Sequence, residues 1–497
     1  MMNAVSRAAS RVWRPEMAVL LPIFALAAFQ TGGEVGLILF SLCLPVTLLL
    51  IWRRLPSPLA AAISDQVIDR LDMILRDTMA TTRQTGCLVV QFDDPMQLCD
   101  RLGRARQSEV LAACVARLRG ALRPGDMLFA LEDGSLVVAL GPTERLDLEV
   151  MVRIAGRLQL VVQQPMVLAD TTIQMTCCIG FAHARQLDRA TGRTLLEAAQ
   201  VAVDEATRYR PGAIRAFSRT LAEARADRDA LRDQFAAAVE AGQVRAHFQP
   251  QLSTDTGALS GVEALARWHH PTRGCLMPGD FLPALEGTDL MHSLGEAMLT
   301  QSLVALQDWD KSGLWVPSVS INVSAQELRD PQWPDRLAWA LERYGLAASR
   351  LTVEVLESVV AGPPDDIIVR NIDRIARIGC GVDMDDFGTG NASITSIKCF
   401  ALRRLKIDRS FIRGIDTNRD QQTLVTAILS LAERLDLDTL AEGVESQAEH
   451  ALLAQLGCGH VQGYAIARPL PFDEMGPWVA RHQARLADAL RIGVKAR

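Results

Sequence analysis

Aromatic residues are scarce in this chain, 5% of 497 residues with only 3 tyrosines, and neither sign of charge dominates. Lys plus Arg number 52 against 58 Asp plus Glu, a formal net charge of -6. A protein that grips a polynucleotide through its phosphates relies on a basic surplus, so no nucleic-acid polymer is expected as partner. The 10 cysteines include no CxxC pair and no regular spacing. Cys177 and Cys178 adjoin, and neighbouring strand residues face opposite sides. Neither a disulfide framework nor a zinc site is therefore expected of the cysteines, and reduced cytosolic thiols are expected. "FGTG" (387–390) is followed by no Gly-Lys-Ser/Thr, which excludes a phosphate-binding P-loop. Apolar residues are not lacking. At 49% of the chain they supply sizeable cores, and the length predicts two or three domains.

Two uncharged stretches, "MAVLLPIFALAAFQTGG" (17–33) and "VGLILFSLCLPVTLLLIW" (35–52), are separated only by Glu34. Each is close to the roughly 17–25 residues that cross a bilayer as a helix. Arg11 and Arg14 precede the pair, and Arg53 and Arg54 follow it. The positive-inside rule puts both ends in the cytoplasm with an outer turn near Gly32-Gly33. The competing reading of the first stretch is a signal peptide; the second stretch, following at once, favours a transmembrane hairpin over 1–54. A connector helix is expected over 55–84, from the helical spacing of Ile68, Leu71 and Leu75. Residues 85–218 alternate strand-like runs ("CLVVQF", "GSLVVAL") with an amphipathic helix ("SEVLAACVARLRGAL"), which predicts a smaller α/β domain. The alanine-rich, charged stretch 219–241 predicts a helical linker.

Residues 242–487 carry the chemistry. Eight β-like runs alternate with helical stretches: "HFQPQL", "GVEALARW", "VSINVSA", "LTVEVLES", "GVDMDDFG", "RRLKIDRSF", "DTLAEGVES" and "HVQGYAIARP". The fold class this predicts is α/β, a TIM-like (β/α)8 barrel whose active site lies at the C-terminal ends of its strands. Polar residues recur on the runs: Gln249, Glu263, Asn322, Glu354, Asp385, Asp386, Lys406, Glu442 and Gln462.

Glu263 and Arg267 are four apart and so share one face of a strand. They suit either a metal ion beside a phosphate or a plain ion pair. Asp385 and Asp386 cannot both point inward from a regular strand; they converge if the strand breaks at Asp386, with Gly388 and Gly390 supplying the break. Oxygen donors without His or Cys favour Mg²⁺ or Mn²⁺, and two such ions about 3.5–4 Å apart clamp a phosphoester for in-line cleavage. Lys406 either offsets developing charge or makes a structural pair with a barrel carboxylate, while Glu442 could serve as base. His269-His270 in "RWHHP" is read as having a surface or packing role rather than a metal-binding one, since neighbours on a strand diverge and no third ligand follows.

"EALAR", "INVSAQEL", "VEVLES", "DMDDFGTG", "LKIDRSFI", "AEGVE" and "QGYAIARPLP", in this order, resemble the EAL family of cyclic-di-GMP phosphodiesterases over about residues 240–485. The resemblance implies a barrel that linearises cyclic di-GMP to pGpG with Mg²⁺ or Mn²⁺. It implies that Glu263, Asn322, Glu354, Asp385, Asp386 and Glu442 ligate metal, and that Lys406 acts on the water with Gln462 nearby. Gln249 and Arg267 would contact substrate, and Glu357 would brace the loop after Asp386. Two departures bear on activity level and regulation: Leu356 where the family has Thr, and Asn391-Ala392-Ser393 where it has an aromatic and two serines. The first half resembles a GGDEF diguanylate cyclase domain more faintly, with "EDGSL" (132–136) in place of the signature hairpin; an unrelated α/β domain is the other reading. No cyclase activity is expected from it, only a regulatory or dimerising role. The expectation is thus a membrane-anchored phosphodiesterase, homodimeric through its EAL domain and connector helices, at the bacterial cytoplasmic membrane. A catalytically silent cyclic-di-GMP receptor is the second reading.

Overall fold

The computed structural model describes residues 58–79, 81–93, 104–131, 133–168, 171–360, 366–388 and 400–495. The expected hairpin over 1–54 and the altered loop 391–393 lie outside the described residues. Among those described, no helix is long and apolar enough to cross a membrane. The chain forms two compact units that divide between Arg225 and Ala226.

In the first unit the short apolar runs become β1 (Gly86–Phe92), β2 (Met127–Ala130), β3 (Leu136–Ala139), β4 (Met166–Leu168), β5 (Thr171–Ile173), β6 (Cys177–His183) and β7 (Ile214–Ala216). Five form one sheet in the order β2-β3-β1-β6-β7, and β4 pairs with β5 alone. Period-2 alternation decides the two cores. Leu88, Val90 and Phe92 of β1 join one cluster, whereas Cys87 and Val89 join the other. The helix Pro58–Met79, at the place expected of a connector, buries Val67, Leu71, Ile74 and Leu75 in that second cluster. Cys177 packs into the first, while the Cys178 thiol donates to Asp93 Oδ1 at 3.2 Å.

In the second unit the eight expected runs all become strands: β8 (Val244–Ser253), β9 (Leu259–His270), β11 (Val319–Asn322), β12 (Leu351–Leu356), β13 (Gly381–Phe387), β14 (Arg404–Ile407), β15 (Asp438–Ala441) and β16 (His460–Val461). Two short strands, β10 (Gly274–Leu276) and β17 (Leu470–Pro471), extend the sheet beside β9 and β8. The barrel closes through β8 on β9. One feature departs from a uniform (β/α)8 barrel: β8 runs antiparallel to both β9 and β16, whereas β9 and β11 to β16 run parallel to one another around the barrel. The cause is the connection. Residues 254–258 alone join β8 to β9, and a parallel return needs a crossover of about a dozen residues or more. The later part of the helix Arg219–Glu240 buries Leu231, Phe235 and Ala238 in the barrel's core, with the Phe235 ring edge-on to Trp268 at 5.4 Å.

Inside the barrel, apolar and polar residues alternate along β13 and β14. Val382, Met384, Leu405 and Ile407 are buried in the core cluster, and Asp383 and Arg404 face each other on the polar side. Arg404 Nε donates to Asp383 Oδ2 at 2.7 Å, and its Nη2 donates to Gln251 Oε1 at 3.1 Å. Asp383 is fully buried. Arg404→Met should therefore destabilise the fold by roughly 3–5 kcal/mol, because it leaves a buried carboxylate without its counter-charge. A urea midpoint equal to that of the unsubstituted protein would overturn this account.

Candidate active site

The polar positions of successive strands converge on one buried amine. Lys406 is wholly buried on β14. Its Nζ donates to Glu442 Oε1 at 2.6 Å, Glu354 Oε2 at 2.7 Å and Asp385 Oδ1 at 3.0 Å, with Glu263 Oε1 3.9 Å away. Amides order the outer side. Asn322 Nδ2 donates to Glu263 Oε1 at 2.9 Å, and Gln462 Nε2 donates to Glu263 Oε2 at 2.5 Å and to Gln249 Oε1 at 3.1 Å. Gln249 in turn donates to the Ala467 carbonyl at 3.0 Å. Residues separated by up to 218 positions thus share one network.

Asp386 joins the cluster through its backbone. Its φ is +54°, in the left-handed region, a conformation that costs a non-glycine residue about 1–3 kcal/mol. Strand β13 shows a register irregularity between Met384 and Phe387. The break expected at Asp386 is there: Asp386 turns one residue before the strand ends, and Gly388 follows with a φ of +100°. This lets the neighbouring carboxylates converge: oxygens of Asp385, Asp386 and Glu442 lie within 4.8 Å of one another. Glu357 Oε2 accepts from the Gly388 N–H at 2.8 Å, directly after this strained turn. The bracing role implied by the family resemblance has this bond as its physical content. Glu357→Ala should lower cation affinity about 10- to 100-fold, as loss of an outer support typically does; calorimetric titration with Mg²⁺ showing unchanged affinity would count against it.

Four carboxylates surround one ammonium, with Asp386 beside them, and the protonation equilibria respond. Burial alone would push Lys406 down, but the carboxylates of Glu263, Glu354, Glu442 and Asp385 outweigh it and hold the amine well above its usual range. Burial, with the Glu263 charge, pushes Glu354 well up. Glu263 is buried too, yet Lys406 and the amides of Gln462 and Asn322 bring it below the usual carboxylate value. Burial lifts Glu442 to about 8 despite Lys406, helped by Asp385 and Glu263. Burial and the Asp385 and Asp408 charges lift Asp386 to about 6.

The donor set fits hard divalent cations. Glu354 Oε1 is buried without a hydrogen-bond partner, which is costly unless something else satisfies it. Oxygen-only donors match Mg²⁺ or Mn²⁺ rather than softer ions. Because ligating carboxylates must be ionised, cation uptake near neutral pH should release protons from Glu442 and Asp386, and affinity should fall as pH drops from about 8 through about 6. The sign for the metal-free fold is opposite. Both acids are raised relative to the unfolded chain, so their contribution is present at low pH and is lost as pH rises through those values. Titration calorimetry in two buffers of different ionisation enthalpy checks this; identical apparent enthalpies would contradict it.

Ten of the eleven residues singled out in the sequence meet at this cluster or brace it. Arg267 does not reach it: its Nη1 donates to the Ala266 carbonyl at 2.7 Å. Burial holds its guanidinium below the usual value. Arg267 shares a face with Glu263 as expected, but four residues of strand span about 13 Å, too far for the plain ion pair. Sequence reasoning missed Gln251, Asp383 and Arg404. The signal was available, since each lies two residues from a residue that was singled out and therefore on the same face.

Comparison with known proteins follows the same division. Residues 228–469 match the family model described as EAL domain, and residues 66–210 match that described as diguanylate cyclase, GGDEF domain. The oxygen sensor protein DosP of Escherichia coli is 30% identical over 392 residues, 79% of this chain and 48% of its own. The bifunctional diguanylate cyclase/cyclic di-GMP phosphodiesterase MucR of Pseudomonas aeruginosa is 29% identical over 407 residues, 82% of this chain and 59% of its own. The chain thus spans about half the length of the curated relatives it matches. Among solved structures, the cGMP-bound EAL enzyme Bd1971 aligns with a TM-score of 0.50 at 18% identity, covering 80% of this chain and 95% of that one, a likeness of fold. The barrel is an EAL domain and the unit before it a GGDEF domain.

Proposed function

We propose that this protein is a cyclic-di-GMP phosphodiesterase that opens the cyclic dinucleotide to linear pGpG by two-metal catalysis. The observation that carries the reading is the convergence of four carboxylates, Glu263, Glu354, Asp385 and Glu442, on Lys406 with Glu354 Oε1 left unpartnered. The name of the relative MucR supports the substrate class, as does the motif series along the barrel. Glu263, Asn322, Glu354, Asp385, Asp386 and Glu442 would hold two Mg²⁺ or Mn²⁺ ions. When bound, such ions acidify water and neutralise charge on a phosphoryl oxygen.

The chain's own residues do the rest. The water oxygen forms the new bond to phosphorus, the bond to the 3′ oxygen breaks, and that oxygen leaves with a proton. Glu442, poised near neutrality in its carboxyl equilibrium, is suited to receive the water's proton. Lys406 Nζ, fixed by three carboxylates, holds positive charge beneath the reacting group and orients the water. Gln462 and Gln249 fix the Glu263 carboxylate. Arg267 offers its guanidinium for a phosphate further along β9.

Incubation of the full chain with cyclic di-GMP and Mg²⁺ tests the reading: linear pGpG is expected, and tight binding without turnover would establish the silent receptor instead. The first unit is proposed as regulatory and dimerising. Its turn is closed on itself, with Asp133 Oδ1 accepting from Ser135 N at 2.9 Å and Ser135 Oγ at 2.6 Å. GTP incubated with the protein should yield no cyclic di-GMP. Anchoring at the cytoplasmic membrane is proposed on the hydropathy of residues 17–52, and fractionation of cells expressing chains with and without residues 1–54 tests it.

A further inference from the structure

The sequence placed His269 beside His270, and the structure pairs it elsewhere. His269 Nε2 faces His247 Nε2 across β8 and β9 at 3.3 Å, with ring centroids 5.4 Å apart and planes 34° apart. His270 turns away to Gln234 Oε1 at 2.9 Å. We propose that His247 and His269 form a second cation site, a two-imidazole chelate for a borderline transition ion such as Zn²⁺ or Cu²⁺, distinct in chemistry from the carboxylate cluster.

Three observations carry it. First, two imidazole nitrogens binding one tetrahedral ion at about 2.0–2.1 Å stand about 3.3 Å apart, the separation already present. Second, both imidazoles lie at the exposed end of the β8–β9 ladder, beyond Gln249 and Glu263, where an ion can enter and keep water in its remaining positions. Third, the surroundings favour a neutral His247 ring. Burial and the charges of Arg267, His269 and Arg245 hold His247 below its usual range, and a hydrogen bond to the Pro469 backbone engages the ring. Such a bond is the usual support of a metal-bound imidazole. The same two guanidinium charges repel a dication, so an ion without covalent affinity for nitrogen, such as Mg²⁺, is rejected and Zn²⁺ or Cu²⁺ is selected. The two sites therefore sort ions by donor type. An ion held here would add fixed positive charge near Arg267, on the side where an anionic ligand enters.

The test is a titration of the full chain with Zn²⁺ in saturating Mg²⁺, using Cys275→Ser to remove the exposed thiol among the described cysteines. One zinc per chain is expected, and His247→Gln and His269→Gln should each weaken binding at least about tenfold. Cu²⁺ in place of Zn²⁺ should show nitrogen splitting from two imidazoles in its electron paramagnetic resonance spectrum. Zinc affinity unchanged in both variants would mean an imidazole–imidazole hydrogen bond only and would overturn the proposal. So would a zinc site lost with Asp385→Asn and indifferent to the histidines. Thermal midpoints of the two variants, expected to match the parent without zinc, exclude misfolding as the cause.

Discussion

Lys406→Met should make the metal-free protein markedly less stable while increasing the stabilisation it gains from divalent cations. The ammonium lies within 3.0 Å of oxygens from Glu354, Asp385 and Glu442. Removing one partner of a buried ion pair costs about 3–5 kcal/mol, because the remaining charge is left unpaired. The carboxylates then repel one another and take up protons, or they recruit a cation. A ligand that binds only the folded state at a hundred times its dissociation constant stabilises by about 2.7 kcal/mol, and the variant's more negative cavity should bind more tightly than the parent's. Melting curves with and without Mg²⁺ read both effects. Turnover should be lost even where Mg²⁺ restores the melt, since the charge under the reacting group is gone. A variant whose midpoint and Mg²⁺ response both equal the parent's would show that Lys406 does not balance these carboxylates.

Glu263→Ala has the largest expected effect on chemistry with little effect on folding. Glu263 is the junction of the amide network, accepting from Asn322 and Gln462 on its two oxygens. Its loss removes a proposed ligand and frees both amides, so cation affinity and orientation fail together. Turnover of cyclic di-GMP should drop on the order of a thousandfold or more, the scale of removing a group that stabilises developing charge. Glu263→Gln keeps the shape and removes the charge, and it should fall nearly as far. Either variant retaining more than about a tenth of parental turnover would place the chemistry elsewhere.

The eight strands of the barrel were legible because each is a short apolar run ending in a polar residue, with helical stretches between. The reversed direction of β8 was legible as well, in the short gap between "HFQPQL" and "GVEALARW", but strand counting does not ask about direction. Arg404, Asp383 and Gln251 stood in plain view two residues from Lys406, Asp385 and Gln249. They were passed over because a site search looks at strand ends, and these lie one pleat deeper. The break at Asp386 was legible, and Gly388 takes part in it with a φ of +100°, but the left-handed backbone of Asp386 itself was not, because that strain sits on an acid held by its surroundings. Nor was the partner of His269. Local reasoning considers adjacent residues, and the histidine that meets it is 22 positions away on another strand.

What the sequence determined by itself was the inventory: which acids, amides and single lysine the barrel interior would carry, and on which strand each would stand. Period-2 alternation is local, so it survives without knowledge of the fold. Which oxygens touch, which are left over, and which imidazole faces which were decided by barrel closure alone. Distances between strands depend on register and curvature, and those emerge only when all the strands are packed around one axis.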